Sequence, residues 1–307
     1  MSTTSKKKAT QKTSKADKLA PKSTAALTEA PSSFGDPAFF PFGRYTGVVG
    51  VHTTLLAFTA LFLPRSTFLF EITRTDIDES KLTSRDRPQH PFLEDLTLNP
   101  ALTTATICGG VILLQCWWAG FVRGWWVEYS LRGTEDEKRL ERTKLEKDKL
   151  RQLTKAFLFT LAGSVPTHTL IVLLGAPLLS HIPQTYFLAL TLSTLMFFTP
   201  AFVFGLPSLS SKTESLLIRL TWVRLFSEFS IRTPVERAMA YPAFGTALGC
   251  WLGAIPTALD WDRPWQAWPL TSLFGAILGY ILSSMAALTI SATKSLADDH
   301  LRTQKAE

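Results

Sequence analysis

Two acidic pairs in this 307-residue sequence have the spacing of a metal and phosphate site. Asp260-Trp-Asp262 and Asp76-Ile-Asp78 each place two carboxylates one residue apart. Carboxylates in this arrangement can bind a divalent cation that holds a phosphate leaving group. Two interpretations stand for the first pair: a metal site, or a structural role in which Arg263 neutralises a carboxylate. The structural role is favoured there, and a solvated loop is favoured for the second pair, because such pairs are frequent by chance.

The other groups that could do chemistry are isolated from one another. His52 and His168 lie in apolar segments, where a lone histidine is either a proton relay or, more commonly, a hydrogen-bonding partner between helices. The sequence has no HExxH, GxSxG or GxxxxGK[ST] motif. Three cysteines without a CxxC pair predict neither a disulfide nor a zinc cluster: Cys108, Cys116 and Cys250. We therefore predict no catalytic residue, no metal and no cofactor.

The apolar residues around these groups are bunched into stretches long enough to cross a membrane. A helical span takes about 20 apolar residues, and six stretches without Asp, Glu, Lys or Arg qualify: Tyr45–Leu63, Leu102–Phe121, Phe157–Ser180, Tyr186–Leu206, Tyr241–Leu259 and Leu270–Ile290. Because lipid cannot satisfy backbone polar groups, such segments must be helices. The sequence predicts an all-α polytopic membrane protein with six transmembrane helices.

The distribution of basic residues predicts the orientation of these helices. The two termini and alternate loops hold 26 of the 32 Lys and Arg residues. Basic loops stay in the cytosol, so both termini are predicted to be cytosolic and the loop with Asp260 to be lumenal. The net charge of +7 does not indicate a nucleic-acid partner, because the N-terminal lysines have no interleaved aromatic residues.

These features divide the chain into three parts. We predict a disordered basic cytosolic tail over 1–43, a six-span bundle over 44–292 and a cytosolic tail over 293–307. The bundle carries a charged cytosolic loop, 122–156, and two lumenal loops, 64–101 and 260–269. Within the cytosolic regions, the stretch from Glu135 to Lys155 is predicted to be a helix that runs into the third span. Residues Leu216–Phe229 are predicted to form an amphipathic helix on the cytosolic face.

The last two predicted spans carry small residues spaced by four. The rows are Gly245, Gly249 and Gly253 in one span, and Gly275, Gly279 and Ser283 in the other. Such rows allow helix backbones to approach closely, and a short connection makes the two spans antiparallel neighbours. The rows therefore predict close packing, either of these helices on each other or on a partner helix.

The segment that joins these spans has a distinctive composition. Residues Gly249–Trp268, GCWLGAIPTALDWDRPWQAW, resemble the C-terminal signature of the PIG-F family of glycosylphosphatidylinositol (GPI) anchor biosynthesis. The resemblance rests on Gly249, Trp251, Gly253, Pro256, Leu259, Asp260, Trp261, Asp262, Arg263, Pro264, Trp265 and Gln266. Elsewhere the chain is similar only in the number and hydrophobicity of its spans. The basic N-terminal tail and the charged loop 122–156 depart from the family pattern.

The resemblance implies a function and a location. It implies a multi-pass membrane protein of the endoplasmic reticulum that binds and stabilises the large ethanolamine phosphate transferases, which add phosphoethanolamine to GPI mannoses. Membrane lipid is a second expected partner, with the GPI precursor as one candidate, and no nucleic acid is expected. The alternative is an enzyme, a lipid-linked glycosyl- or phospho-transferase that uses Asp260 and Asp262. A lipid transporter ranks last, because the sequence has no internal repeat.

Overall fold

A computed structural model of the chain describes residues 40–66, 90–130, 135–208 and 210–306. All regular structure in these ranges is helical, which confirms the all-α prediction. The predicted basic tail up to residue 39 and the pair Asp76-Ile-Asp78 lie outside the described residues. The helical character follows from the membrane-length apolar stretches, since only a helix satisfies its own backbone polar groups in lipid.

The described residues form ten α-helices, which we number in chain order. They are α1 (Phe42–Leu61), α2 (Pro91–Thr97), α3 (Pro100–Ser130), α4 (Glu135–Lys147), α5 (Lys149–Leu173), α6 (Ile182–Ser193), α7 (Thr199–Phe204), α8 (Thr213–Phe226), α9 (Pro234–Ala254) and α10 (Leu270–Ala306). A π-helical turn, Thr194–Phe198, joins α6 to α7 without a break. Short 3₁₀ turns lie at Leu63–Arg65, Ile255–Ala258 and Pro264–Gln266.

Five of the described helical stretches are long and apolar enough to cross a membrane. They are Pro100–Ser130, Lys149–Leu173, Ile182–Phe204, Pro234–Ala258 and Leu270–Leu301. Each overlaps one of the second to sixth predicted spans, but the predicted span Phe157–Ser180 runs seven residues past the helix end at Leu173. The first predicted span forms α1, a helix of 20 residues that is not among the five. Arg44, His52 and several threonines and glycines lower its hydropathy. A polytopic membrane protein is thus confirmed, while the count of six and the sides of the termini stay predictions.

Two cytosolic predictions are refined by the structure. The charged stretch from Glu135 forms α4 and then α5, separated by a turn at Asp148, so the prediction of one continuous helix was wrong. Asp148 occupies the N-cap position of α5, although its side chain makes no capping hydrogen bond. The predicted C-terminal tail is helical up to Ala306, since it forms the last part of α10, which has 37 residues. At 1.5 Å per residue this is roughly 55 Å, well beyond the ~30 Å of a hydrocarbon core.

The centre of the bundle is the α6–α7 stretch. In the most apolar part of this stretch 78% of the residues are buried, whereas in that of the α5 span only 17% of the residues are buried. One buried cluster surrounds Tyr45, Trp118 and Trp125, and a second surrounds Leu56 and Tyr280. Several threonines within the spans satisfy their hydroxyls on their own helix, as Thr191 does by donating to the carbonyl of Phe187 at 2.8 Å. The central helices can therefore be buried without unpaired hydroxyl groups at these positions.

Candidate functional site

The backbones of α9 and α10 touch along the two rows of small residues. A methyl group added at Gly249 would lie 2.9 Å from the Cα of Gly279, and one added at Gly275 would lie 2.9 Å from the Cα of Gly253. The nearest atoms in both cases are carbonyl oxygens of the opposing helix. Real Cβ atoms do not approach backbone so closely, so only glycine fits these positions without a shift of one helix.

The same contact continues to both ends of the rows. A Cβ at Gly245 would meet the side chain of Ser283 and the carbonyl of Gly279, and a Cβ at Gly253 would lie 3.0 Å from the Cα of Ser272. Of the two arrangements that the sequence left open, the structure has the two rows facing each other. The rows are therefore occupied within the hairpin, which we define as α9, the connecting segment and α10.

A buried ion pair connects the start of α9 to α8. Glu236 is 2% exposed and accepts from both terminal nitrogens of Arg224, one of them at 3.2 Å. Its carboxylate also accepts from the backbone N–H of Arg232 at 2.8 Å, while its own N–H donates to Thr233 Oγ1 at 3.1 Å. The hydrogen bond to Glu236 raises the pKa of Arg224 above its ordinary value. This network fixes where the hairpin begins.

Sequence reasoning missed this network, although a signal for it exists. Thr233-Pro-Val-Glu236 has the capping-box pattern with proline at the first helical position, and the structure has this box.

Two further arginines, which in the sequence only add to the charge of their loops, are buried in the structure. Arg237 donates to Ser291 Oγ at 2.7 Å, joining α9 to α10. Arg123 donates to the carbonyl of Phe202 at 2.6 Å, near the end of α7.

The segment between the two helices is organised by one side chain, that of Gln266. Its Nε2 donates to the carbonyls of Pro256 at 2.6 Å and Leu259 at 2.8 Å. Its Oε1 accepts from the backbone N–H of Arg263 at 2.8 Å. These three bonds join the exit of α9 to the approach of α10, so the segment has a fixed shape. We call residues Asp260–Pro269 the Asp-Trp-Asp turn.

The charged residues of this turn lie at its surface. Asp260 and Arg263 are exposed, and Asp262 is half-buried. Asp262 has a φ of +49°, in the left-handed region that aspartate and asparagine tolerate better than most residues. In the part of the chain that the structure describes, no three His, Cys, Asp or Glu side chains lie close enough together to hold a metal ion. The metal and structural interpretations of Asp260 and Asp262 both stay predictions.

The tryptophans of the hairpin divide into an inward and an outward group. Trp268 donates from Nε1 to Thr185 Oγ1 at 2.9 Å, which attaches the turn to the start of α6. Trp261 and Trp265 pack together with their ring centroids 5.6 Å apart. Trp251 is 64% exposed and Trp261 is 54% exposed. Trp268 therefore anchors the turn, whereas Trp251 and Trp261 are available to other molecules.

Trp251 belongs to a continuous exposed face of α9. Residues spaced by three or four share one side of a helix, and four large apolar residues at this spacing are exposed: Phe244, Leu248 and Trp251 in α9, and Ile255 in the 3₁₀ turn that continues it. We call this face the outer stripe. It points away from the buried residues of α9, among them Ala243 and Thr246. The outer stripe reaches the helix end from which the Asp-Trp-Asp turn begins.

A short helix braces the turn from the neighbouring loop. Helix α2 contacts the Pro264–Gln266 turn. It is attached to the 3₁₀ turn that follows α1 by an ion pair of 3.2 Å between Arg65 Nε and Asp95 Oδ2. The guanidinium of Arg65 also lies 4.4 Å from the centre of the Phe92 ring. The described part of the loop after α1 thus supports the same end of the hairpin.

The remaining candidate residues are not brought to the hairpin turn. His52 stacks on Trp118 with centroids 4.9 Å apart, and His168 lies 6.2 Å from the ring of Tyr186. Within the described residues, His52 Nε2 and His168 Nδ1 have no hydrogen-bond partner, so the favoured hydrogen bond between helices is not found at these atoms. The three cysteines are free thiols: Cys108 and Cys116 in α3 and Cys250 in α9.

Most of this chain is similar to a known protein family. Residues 44–288 match the model of the GPI biosynthesis protein family Pig-F. A protein of Pyricularia oryzae named Glycosylphosphatidylinositol anchor biosynthesis protein 11 is 36% identical over 135 residues, which are 44% of this chain and 46% of that protein. No solved structure matches the chain.

Two further relatives have similar alignments. A protein of Yarrowia lipolytica, also named Glycosylphosphatidylinositol anchor biosynthesis protein 11, is 35% identical over 141 residues, or 46% of this chain and 56% of that protein. The human protein named GPI ethanolamine phosphate transferase, stabilizing subunit, is 33% identical over 137 residues, or 45% of this chain and 56% of that protein. The chain spans about half the length of the curated relatives it matches.

Proposed function

The chain belongs to the GPI biosynthesis protein family Pig-F, and from this premise we propose that it is a non-catalytic membrane subunit. In this proposal it binds and stabilises the ethanolamine phosphate transferases that add phosphoethanolamine to GPI mannoses, in the membrane of the endoplasmic reticulum. The human relative is named as the stabilizing subunit of a GPI ethanolamine phosphate transferase, which supports this role. The apolar helices of membrane-spanning length support the location in a membrane.

The observation that carries the proposal is a rigid hairpin with an exposed aromatic face. Helices in lipid gain little from hydrophobic association, because lipid tails are as apolar as leucine, so packing and polar contacts must hold a complex together. Packing favours a surface that is already rigid before binding. The hairpin is held by backbone contact at Gly249, by Arg237 at one end and by Gln266 at the other.

We assign the docking surface to the outer stripe and the exposed groups of the Asp-Trp-Asp turn. Trp251 and Trp261 offer large, rigid side chains that can pack closely against a partner, and tryptophan is enriched among the residues that dominate binding energy at interfaces. Asp260 and Arg263 beside Trp261 add opposite charges that select a complementary partner. The partner surface in this proposal is a transmembrane helix of the transferase together with the segment that leaves the membrane on the predicted lumenal side.

Capture of the transferase by variants of this surface tests the proposal. Trp251→Ala is expected to reduce co-purification of the transferase about tenfold or more, because truncating a central interface tryptophan typically costs roughly 2 kcal/mol or more. The abundance and thermal stability of this chain should stay unchanged, since Trp251 is exposed. GPI precursors that lack terminal phosphoethanolamine should accumulate in the same cells.

The matched control is Leu113→Ala in α3. Leu113 is 73% exposed and lies in another membrane-spanning helix, so its truncation removes apolar surface outside the assigned interface. If the wild type and Trp251→Ala captured the transferase equally well, the outer stripe would not be part of the docking surface. Transfer of phosphoethanolamine by the purified chain alone would replace the proposal with the enzyme alternative.

A further inference from the structure

Helix α8 is apolar on two opposite faces. One face packs on the bundle: Trp222 donates from Nε1 to the carbonyl of Gly205 at 3.1 Å, and Leu225 is fully buried. Ile218 lies on the same side, at helical spacing from both. The opposite face carries four exposed aliphatic residues spaced by one, three or four positions: Leu216, Leu217, Leu220 and Val223. An aliphatic face that turns away from the protein requires a second apolar environment.

The contacts of α8 fix its level relative to the spans. Gly205 ends α7 with a φ of +89°, a left-handed conformation that glycine adopts most readily, and its carbonyl accepts the Trp222 bond. At its other end α8 is joined to the start of α9 by the pair of Arg224 and Glu236. The helix is therefore attached to the end of one membrane-spanning stretch and to the beginning of the next, where a bilayer changes from acyl chains to headgroups.

Arg224 follows Leu220 by four positions at the end of the outer face and pairs with Glu236. Other charged and polar residues lie along the flanks of α8, between its two apolar faces. Arg219 lies on one flank, and Glu214 and Thr221 lie on the other. Arg219 Nε is buried without a hydrogen-bond partner in the described part of the chain, and Lys212 is exposed at the helix N-terminus. Cations that flank an aliphatic face match the phosphate groups that lie above the acyl chains of a lipid leaflet.

We propose that α8 is an interfacial membrane anchor. Its outer face, Leu216, Leu217, Leu220 and Val223, lies in the acyl-chain boundary of the leaflet in which α7 ends and α9 begins. Arg219 and Lys212 contact the phosphates of the headgroups. Lipid is the favoured occupant because the face is aliphatic, level with the ends of two spans and bordered on one side by the cations Lys212 and Arg219. The inference is independent of the proposed transferase partner.

Photocrosslinking of the full-length chain tests the occupant of this face. A benzophenone amino acid is placed at Leu220, and the chain is studied in native membranes and in vesicles of phosphatidylcholine with phosphatidylserine as the minor component. Crosslinks to phospholipid are expected in both. The positive control is Leu113, exposed on a span, and the aqueous control is Glu146, exposed on the charged helix α4.

The outcomes separate lipid from protein and from water. Lipid adducts at Leu220 that approach those at Leu113 and exceed those at Glu146 by about tenfold support the anchor. Adducts to another polypeptide in native membranes, or a yield as low as that of Glu146, overturn it. Arg219→Gln should lower the share of adducts on phosphatidylserine by about half, because a basic residue near the surface favours anionic lipid. An unchanged share would overturn the headgroup contact.

Discussion

The two sides of α9 carry opposite kinds of residue. On the side that meets α10, Gly249 and Gly253 let backbone touch backbone. On the outer stripe, Leu248 and Trp251 are large, apolar and exposed. The inner side is fully occupied by contacts with α10, so substitutions there should lower the stability of this chain. The outer side contributes little to the fold, so its changes should act on binding. This contrast separates residues that build the hairpin from residues that present it.

The largest expected loss of stability comes from a substitution of Glu236, the buried residue near the start of α9. Glu236→Ala leaves the Arg224 charge without its buried partner and removes a capping group. Because the Arg224 side chain is 19% exposed, we expect a loss of about 3 kcal/mol, the lower end of the cost of breaking a buried pair. Thermal unfolding of the purified chain in detergent measures the loss. The control is Glu128→Ala, whose pair with Arg142 is about half exposed and should contribute ~1 kcal/mol or less. Similar losses in both variants would refute a special role for the buried pair.

The next effect concerns the glycine contact. Gly249→Leu inserts a side chain where the α10 backbone lies, and overpacking costs about 1–3 kcal/mol. We expect lower abundance in the membrane and a lower unfolding temperature. Gly109→Leu is the matched control, since Gly109 lies in α3 with no atom within 4 Å of an added Cβ. If both leucine variants were equally stable, the close contact of α9 and α10 would be wrong.

The smallest expected effects on stability lie in the Asp-Trp-Asp turn. Asp262→Asn keeps a residue that tolerates the φ of +49°, and Arg263→Ala changes an exposed side chain, so each should alter stability by roughly 0.5 kcal/mol or less. Under the proposed function, transferase capture and GPI product should fall together in both variants. Capture is measured by co-purification, and product by lipid analysis.

A different pattern in these two variants would favour the alternative function. An Asp262→Asn chain that still captures the transferase but yields no product would indicate a catalytic or metal-binding carboxylate. A double change to neutral residues at Asp262 and Arg263 sharpens the comparison. If the two side chains form an ion pair, the double variant recovers part of the loss seen in either single variant.

The span positions were predictable because crossing a membrane is a local property of the chain. The apolar stretch predicted from Tyr186 to Leu206 is found as the continuous helical stretch Ile182–Phe204, and Leu270–Ile290 is contained in α10. Some observed helices extend beyond the predicted spans because polar residues continue the helix, as in α10. Others end before the predicted ends, next to Gly175 and Gly205, which both have positive φ. Asp148 interrupts the charged helix, although the i,i+4 pairing of its neighbours favoured one continuous helix.

The sequence by itself determined the all-α class, the apolar helices and the hairpin with its small residues, because length, hydropathy and spacing act within one helix. Only the tertiary structure decided what each residue contacts. Gly249 contacts the α10 backbone, and Glu236 is buried against Arg224. Gln266, which is uncharged, holds the shape of the Asp-Trp-Asp turn by hydrogen bonds. These outcomes depend on atoms distant in sequence, so no local pattern contains them.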